Sequence, residues 1–201
     1  MRREAVGLPI SLDVEGKRAL VVGGGDYALD KVERLLDARA IVTVVAREPG
    51  GGIASLAARS RITLFSRDFF PADAREADLV LACTHDAALV EKVAEAATGG
   101  AALWCEDDPA RSDFAMPALV RAGRVRVAIT TSGAAPALAS KLRTALERDL
   151  DARFSAFVDR LAAERERLLR DEPDPAVRRA KLRALVEGFD VKLAFIWPEE
   201  R

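Results

Sequence analysis

The sequence predicts an α/β fold, a parallel sheet followed by a β-hairpin region and a C-terminal helical region. Three observations carry that prediction. Short β-branched runs alternate with helical periodicity through the first half of the chain. A run of three glycines separates the first such strand from the first helix. Near residue 107 the rhythm changes, to a hairpin pattern and then to helices alone. Alternating strands and helices imply βαβ units with right-handed crossovers, and hence parallel pairing.

Residues 18–22 (RALVV) read as a buried strand and run directly into Gly23-Gly24-Gly25. Residues 26–38 read as a helix whose apolar face is Ala28, Val32, Leu35 and Leu36, the i, i+3, i+4 spacing of a 3.6-residue period. Residues 41–46 (IVTVVA), 61–65 (RITLF), 78–83 (DLVLAC) and 101–105 (AALWC) supply four further strands, with a helix over 87–97 between the last two. Beyond them, 114–120 and 124–130 flank Arg121-Ala122-Gly123 as a hairpin. A helix follows over 135–150, with Pro136 tolerated in its first turn. Phe154, Phe157, Val158, Leu161 and Leu168 mark a second helix, Pro173 and Pro175 interrupt it, and 176–187 resumes until Gly188. The chain therefore divides into a nucleotide-binding unit, 1–112, a hairpin region, 113–150, and a helical region, 151–201.

Composition narrows the function. Of 201 residues half are apolar, enough for a sizeable core. Lys plus Arg number 31 against 32 Asp plus Glu, a net charge of −1, which argues against whole-molecule attraction to nucleic acid or anionic lipid. Cys83 and Cys105 make no disulfide framework, and one histidine, His85, makes no His-rich metal site, so no resident metal ligands are assigned. No apolar run reaches the roughly 18–20 residues that span a bilayer. Met1-Arg2-Arg3-Glu4-Ala5 lacks the pattern of a secretory signal. A cytoplasmic protein without membrane contact is the expectation.

Gly23-Gly24-Gly25-Asp26-Tyr27-Ala28 fits G-x-G-x-x-G/A between a strand and a helix, the context of a Rossmann-like dinucleotide site. The first glycine permits the turn, the second lets a pyrophosphate approach the backbone, and the small Ala28 lets helix and sheet pack closely. Helix-start amides then face the phosphates. About twenty residues on, Arg47 and Glu48 end the second strand, where a ribose belongs. Glu48 could accept the hydroxyls of NAD and Arg47 could pair with the 2′-phosphate of NADP; the residues leave both open. Thr84 and His85 follow the fourth strand on the crevice side. His85 is a candidate proton shuttle or transient iron ligand, or an ordinary loop residue.

Several segments together resemble the precorrin-2 dehydrogenases of siroheme biosynthesis, which include the N-terminal module of siroheme synthase and stand-alone dehydrogenase/ferrochelatases. They are Leu8-Pro9-Ile10, Leu20-Val21-Val22-Gly23-Gly24-Gly25, Ala82-Cys83-Thr84-His85-Asp86, Asp107-Asp108-Pro109 and Phe114-Ala115-Met116-Pro117-Ala118. Thr130-Thr131-Ser132-Gly133-Ala134-Ala135-Pro136-Ala137-Leu138-Ala139 is similar to the family's S-S/T-G-G-x-S-P-x-L-A. The order and spacing agree over roughly residues 8–150.

The resemblance implies NAD-dependent oxidation of precorrin-2 to sirohydrochlorin, in some members followed by ferrous iron insertion (a lyase, ferrochelatase, activity), and a homodimer joined through the second half. It implies that Asp107 is the catalytic carboxylate, that Asp26, Tyr27, Arg47 and Glu48 match backbone positions at the dinucleotide, and that Thr131, beside Ser132, lines the tetrapyrrole site. The residues depart from the family at Trp104-Cys105-Glu106-Asp107 (N-V-V-D), at Val90 (Asn) and at Asp30 (Arg).

The chemistry agrees with these roles. Asp107 falls just past the fifth strand, where a carboxylate beside a nicotinamide could take the proton left when hydride departs. Glu106, Asp107 and Asp108 in a row would raise at least one carboxyl pKa if crowded. A polycarboxylate tetrapyrrole needs cations, and Arg111, Arg124, Arg126, Lys141 and Arg143 lie in the segments expected to border it. The alternative reading is a non-catalytic module that senses NAD(H) or tetrapyrrole, which would need the glycine turn and no acid beside it.

Overall fold

The computed structural model describes residues 7–192 and 194–197. The segment read for a secretory signal, residues 1–5, lies outside them. Two units make up the chain, 1–116 and 117–201. The fold is α/β and Rossmann-like in the first unit, with a two-stranded hairpin and helices in the second.

The first unit is a five-stranded parallel sheet of β1 (Arg18–Val22), β2 (Ile41–Val45), β3 (Thr63–Phe65), β4 (Leu79–Ala82) and β5 (Ala102–Cys105), in the order β3-β2-β1-β4-β5. Three helices cover it: α1 (Asp26–Asp37), α2 (Gly51–Ala58) and α3 (Ala87–Ala97). A strand's side chains alternate between faces, so β1 feeds two cores. Ala19 and Val21 join Val44, Leu81 and the α1 residues Val32 and Leu35 on one face. Leu20 and Val22 join Val80 and the α3 residues Val90 and Val93 on the other. Burial on both faces explains why β1 and β4 read as continuous apolar runs. Val90, where the family has asparagine, is thus a core residue.

Helix α2 was not expected; its first turn is Gly51-Gly52, and glycine is a poor helix former. A Cβ on Gly52 would stand 2.3 Å from Leu29 Cδ2 of α1, so a larger residue there requires the Leu29 side chain to turn away. The strand expected over 61–65 is shorter, beginning at Thr63. Among the described residues no helix is long and apolar enough to cross a membrane.

In the second unit β6 (Ala118–Ala122) pairs antiparallel with β7 (Val125–Ile129). The first strand begins later than expected because Phe114 and Met116 pack on the core of the first unit instead. Ala122 stays in the ladder opposite Val125, which leaves Gly123 and Arg124 as the turn. Gly123 has φ +57°, and a Cβ there would meet the Ser155 side chain at 3.0 Å, so both conformation and space favour glycine. Helices α4 (Pro136–Asp149), α5 (Ala152–Asp171) and α6 (Pro175–Ala184) complete the unit. Asp151 and Asp174 cap α5 and α6 by accepting two backbone N–H bonds each, and Pro175 occupies a first turn where it removes no helical bond. Phe189 stacks on Phe157 of α5 at 5.4 Å between ring centres.

Candidate functional site

Strand order turns between β1 and β4, so the connections leaving their C-terminal ends run to neighbours on opposite sides, and a crevice opens beyond those ends, the place where open α/β sheets bind ligands. The glycine turn sits at that point and is forced by the chain around it. Gly23 has φ +131°, and a Cβ on it would lie 2.1 Å from the Cys83 carbonyl oxygen. A Cβ on Gly24 would lie 2.8 Å from the Glu48 carbonyl oxygen, and the Gly24 carbonyl accepts from Gly50 N–H at 2.8 Å. Gly25 differs. Its backbone is ordinary extended chain, φ −78°, and a Cβ there would meet no protein atom within 4 Å. No protein contact demands glycine at 25, which is what the pyrophosphate-approach role requires. Gly25 begins α1, whose start has no side-chain cap, so its first amide groups stay available to an anion.

The crevice holds about 1000 Å³, enough for a dinucleotide, and its wall includes Gly23, Gly24, Gly25, Arg47, Glu48 and Thr84. Six of the eight expected cofactor residues therefore share one cavity. Asp26 and Tyr27 do not line it with their side chains; they offer the first amides of α1. Arg47 is engaged: its Nε and Nη2 donate to Asp68 Oδ1 at 2.8 and 2.7 Å, a pairing that holds the Asp68 carboxyl below the usual range. Thr84 Oγ1 accepts from Asp86 N–H at 3.1 Å, and Asp86 caps α3 through the Ala88 and Leu89 N–H groups.

Beside the crevice, the segments after β4 and β5 run side by side, because Ala82 pairs with Cys105 and Glu106 N–H donates to the Ala82 carbonyl at 3.0 Å. This brings Asp107 to His85: Asp107 Oδ2 is 3.9 Å from His85 Nδ1, and Glu106 Oε1 is 3.8 Å from His85 Nε2. Asp107 is 84% exposed, while the Glu106 side chain is 9% exposed. Burial first, and then the charge of Asp107, push the Glu106 carboxyl up, with His85 opposing. Asp108 leaves the acidic run for Arg111, whose side-chain hydrogen bond holds its carboxyl down. Asp107 has φ +55°, a left-handed conformation that aspartate tolerates better than most residues.

The departures from the family pattern interlock. Trp104, buried at the end of β5, stacks on Tyr27 at 6.0 Å between centres. The Lys31 ammonium, with its side chain 4% exposed, lies 4.0 Å from the Tyr27 ring centre and 5.6 Å from that of Trp104. Its counter-ion is Asp30, at 2.8 Å, which Arg34 also holds. Desolvation acts to raise the Asp30 carboxyl, but these two cations outweigh it and the net shift is downward. Burial pushes the Cys83 thiol up to about 12, so it stays protonated and packs as a small apolar group. Cys105 is likewise buried and free.

Four of the expected substrate residues, Thr131, Ser132, Arg124 and Arg126, belong to the second unit. The Thr131 hydroxyl accepts from Ala135 N–H at 3.2 Å at the start of α4, and Ser132, at φ +52°, forms the turn before it. Arg124 donates to Asp159 at 3.2 Å, and Arg126 donates to the Gly123 and Val125 carbonyls. Sequence reasoning missed Arg67, Phe70 and Lys92 on the crevice wall. The signal was present in Arg67-Asp68 just past β3, the same strand-end position that singled out Arg47 and Glu48.

Comparison with known proteins agrees with this geometry. Residues 10–118 match a family model described as "Putative NAD(P)-binding". The chain is 39% identical over 189 residues to the siroheme synthase of Methylococcus capsulatus, covering 93% of this chain and 40% of that protein. It is 36% identical to the siroheme synthase of Gluconacetobacter diazotrophicus, covering 90% and 39%. The chain thus spans about two fifths of the length of these relatives. Among solved structures it superposes on SirC, a precorrin-2 dehydrogenase, with TM-score 0.79 and 22% identity, covering 90% of this chain and 89% of that one. That likeness shows the fold.

Proposed function

We propose that this chain, which belongs to the precorrin-2 dehydrogenase and siroheme synthase family, oxidises precorrin-2 to sirohydrochlorin with NAD as hydride acceptor. What supports the reading most is one adjacency. Gly25 and His85 both line the crevice, and His85 Nδ1 lies 3.9 Å from the carboxylate of Asp107. A bound nicotinamide supplies the hydride acceptor. Asp107 takes the proton that leaves the macrocycle with the hydride, a transfer worth about 10²–10⁴ in rate when a side chain is so positioned. Asp107 is open to solvent in the single chain, so the large substrate itself covers the acid as it binds and strengthens its electrostatic role.

NAD is favoured over NADP because Asp68 occupies the Arg47 guanidinium, leaving Glu48 on the crevice wall to meet ribose hydroxyls. The first unit binds the dinucleotide. Residues 113–150 carry the tetrapyrrole contacts, through Thr131, Ser132, Arg124 and Arg126, and the contacts of a homodimer. Arg143, expected among the bordering cations, belongs with them: its Nε is buried and has no hydrogen-bond partner among the described residues, a group that a substrate carboxylate would satisfy. In a second step Asp107 receives pyrrole protons as ferrous iron, a substrate, enters sirohydrochlorin.

The test is conversion of precorrin-2 by the chain with NAD, followed by the sirohydrochlorin absorption spectrum. Asp107→Asn lowers kcat by about 10²–10⁴ while NADH still binds. Tight NADH binding by a folded chain without turnover would instead favour the sensing module.

A further inference from the structure

We propose that the Tyr27 ring is a shelf on which one pyrrole of the tetrapyrrole stacks, so that the macrocycle meets Asp107 in a fixed pose. The inference rests on the substrate proposed above and names a residue that positions it. Tyr27 is the single tyrosine of the chain and lies in the first turn of α1, just past Gly25. Its ring stacks on Trp104, with 6.0 Å between centres and 24° between planes. Trp104 lies on β5, the strand that leads directly to Glu106 and Asp107. The stack thus joins the helix that starts at the glycine turn to the strand that delivers the acid.

Exposure separates the occupant of this ring from the dinucleotide. Tyr27 is 45% exposed, and neither Tyr27 nor Asp107 belongs to the wall of the crevice that the dinucleotide fills. The two lie near one another. Burial first, then the charge of Glu106, with smaller parts from Cys83 and Asp107, push the phenol upward, so its hydroxyl stays protonated and able to donate to a carboxylate. A half-exposed aromatic ring beside the acid is a surface for the second, larger ligand.

What lies against the ring selects what stacks on it. The Lys31 ammonium is 4.0 Å from the Tyr27 ring centre and 5.6 Å from that of Trp104, and it draws on the negative faces of both rings. A cationic nicotinamidium is disfavoured as a further layer over such a pair, whereas an electron-rich pyrrole is favoured. Trp104 and Lys31 also hold the ring in place before substrate arrives, so stacking costs little ordering.

The experiment uses the full chain and reads Tyr27 directly. Tetranitromethane nitrates the single tyrosine, and peptide mass gives the extent. Sirohydrochlorin at ten times its Kd slows nitration about ten-fold, as occupancy requires, and NADH leaves it unchanged. In parallel, quenching of tryptophan fluorescence by sirohydrochlorin gives an affinity for each variant, with thermal unfolding to confirm that it is folded. Tyr27→Leu lowers this affinity and raises the KM for precorrin-2 by about ten-fold or more, whereas Tyr27→Phe, which keeps the ring, stays close to the wild type. Protection by NADH in place of sirohydrochlorin, or a folded Tyr27→Leu chain with wild-type affinity and KM, overturns the shelf. Nitration needs no substitution, so the test stands should Tyr27→Leu fail to fold. Wild-type turnover with Tyr27 left unprotected by sirohydrochlorin removes this inference and leaves the dehydrogenase; a wild type that neither binds sirohydrochlorin nor oxidises precorrin-2 removes both.

Discussion

Gly25→Ala separates a glycine kept for a ligand from a glycine kept for the fold. At φ −78° and ψ −179° alanine adopts the backbone without strain, and its methyl meets no protein atom. Loss of glycine from the N-cap costs about 0.5–1 kcal/mol, and the stiffer unfolded chain returns about 0.4–1 kcal/mol. The net effect is within about 1 kcal/mol, a Tm shift of no more than about 4 °C for a chain of this size. The same methyl stands where a pyrophosphate must approach, so NADH affinity falls at least ten-fold, about 1.4 kcal/mol. Gly23→Ala is the control. There φ is +131° and the new Cβ would sit 2.1 Å from the Cys83 carbonyl oxygen, so the backbone must move. A loss of roughly 4 kcal/mol follows, lowering Tm by about 8–16 °C. Differential scanning fluorimetry and a fluorescence titration with NADH measure both quantities. A folded Gly25→Ala chain that binds NADH as tightly as the wild type would refute the cradle.

Asp68→Asn releases Arg47 from its ion pair, so NADPH affinity rises about ten-fold by competition titration while NADH affinity is little changed. Lys31→Ala removes a buried ammonium from the Tyr27–Trp104 pair and frees Asp30 of one partner, lowering Tm by roughly 4–8 °C, about 2 kcal/mol. Glu106 binds its proton more tightly folded than unfolded, so it stabilises the chain fully below the ordinary value of 4.5 and loses that contribution as pH rises through the raised folded pKa. Glu106→Gln is therefore the more stable chain near neutral pH, and the gap closes in melts below about pH 4.

The sheet was legible because β1 and β4 are buried on both faces, and such strands must be written in continuous apolar residues whatever surrounds them. The glycine turn was legible because steric exclusion at Gly23 and Gly24 leaves one residue type. Helix α2 was not, since its first turn is Gly51-Gly52 and glycine is a poor helix former. Nor was the start of the hairpin, where Phe114 and Met116 have strand-like character but find burial elsewhere. Local periodicity and sterics thus determined the order of elements and the cofactor turn. Tertiary structure alone decided which strand ends became neighbours, and with that the meeting of His85 with Glu106 and Asp107, the capture of Arg47 by Asp68, and the closing of Trp104 and Tyr27 over Lys31. Each brings together at least two segments far apart in the chain, and their energies depend on distance and burial, which exist only once the sheet has formed.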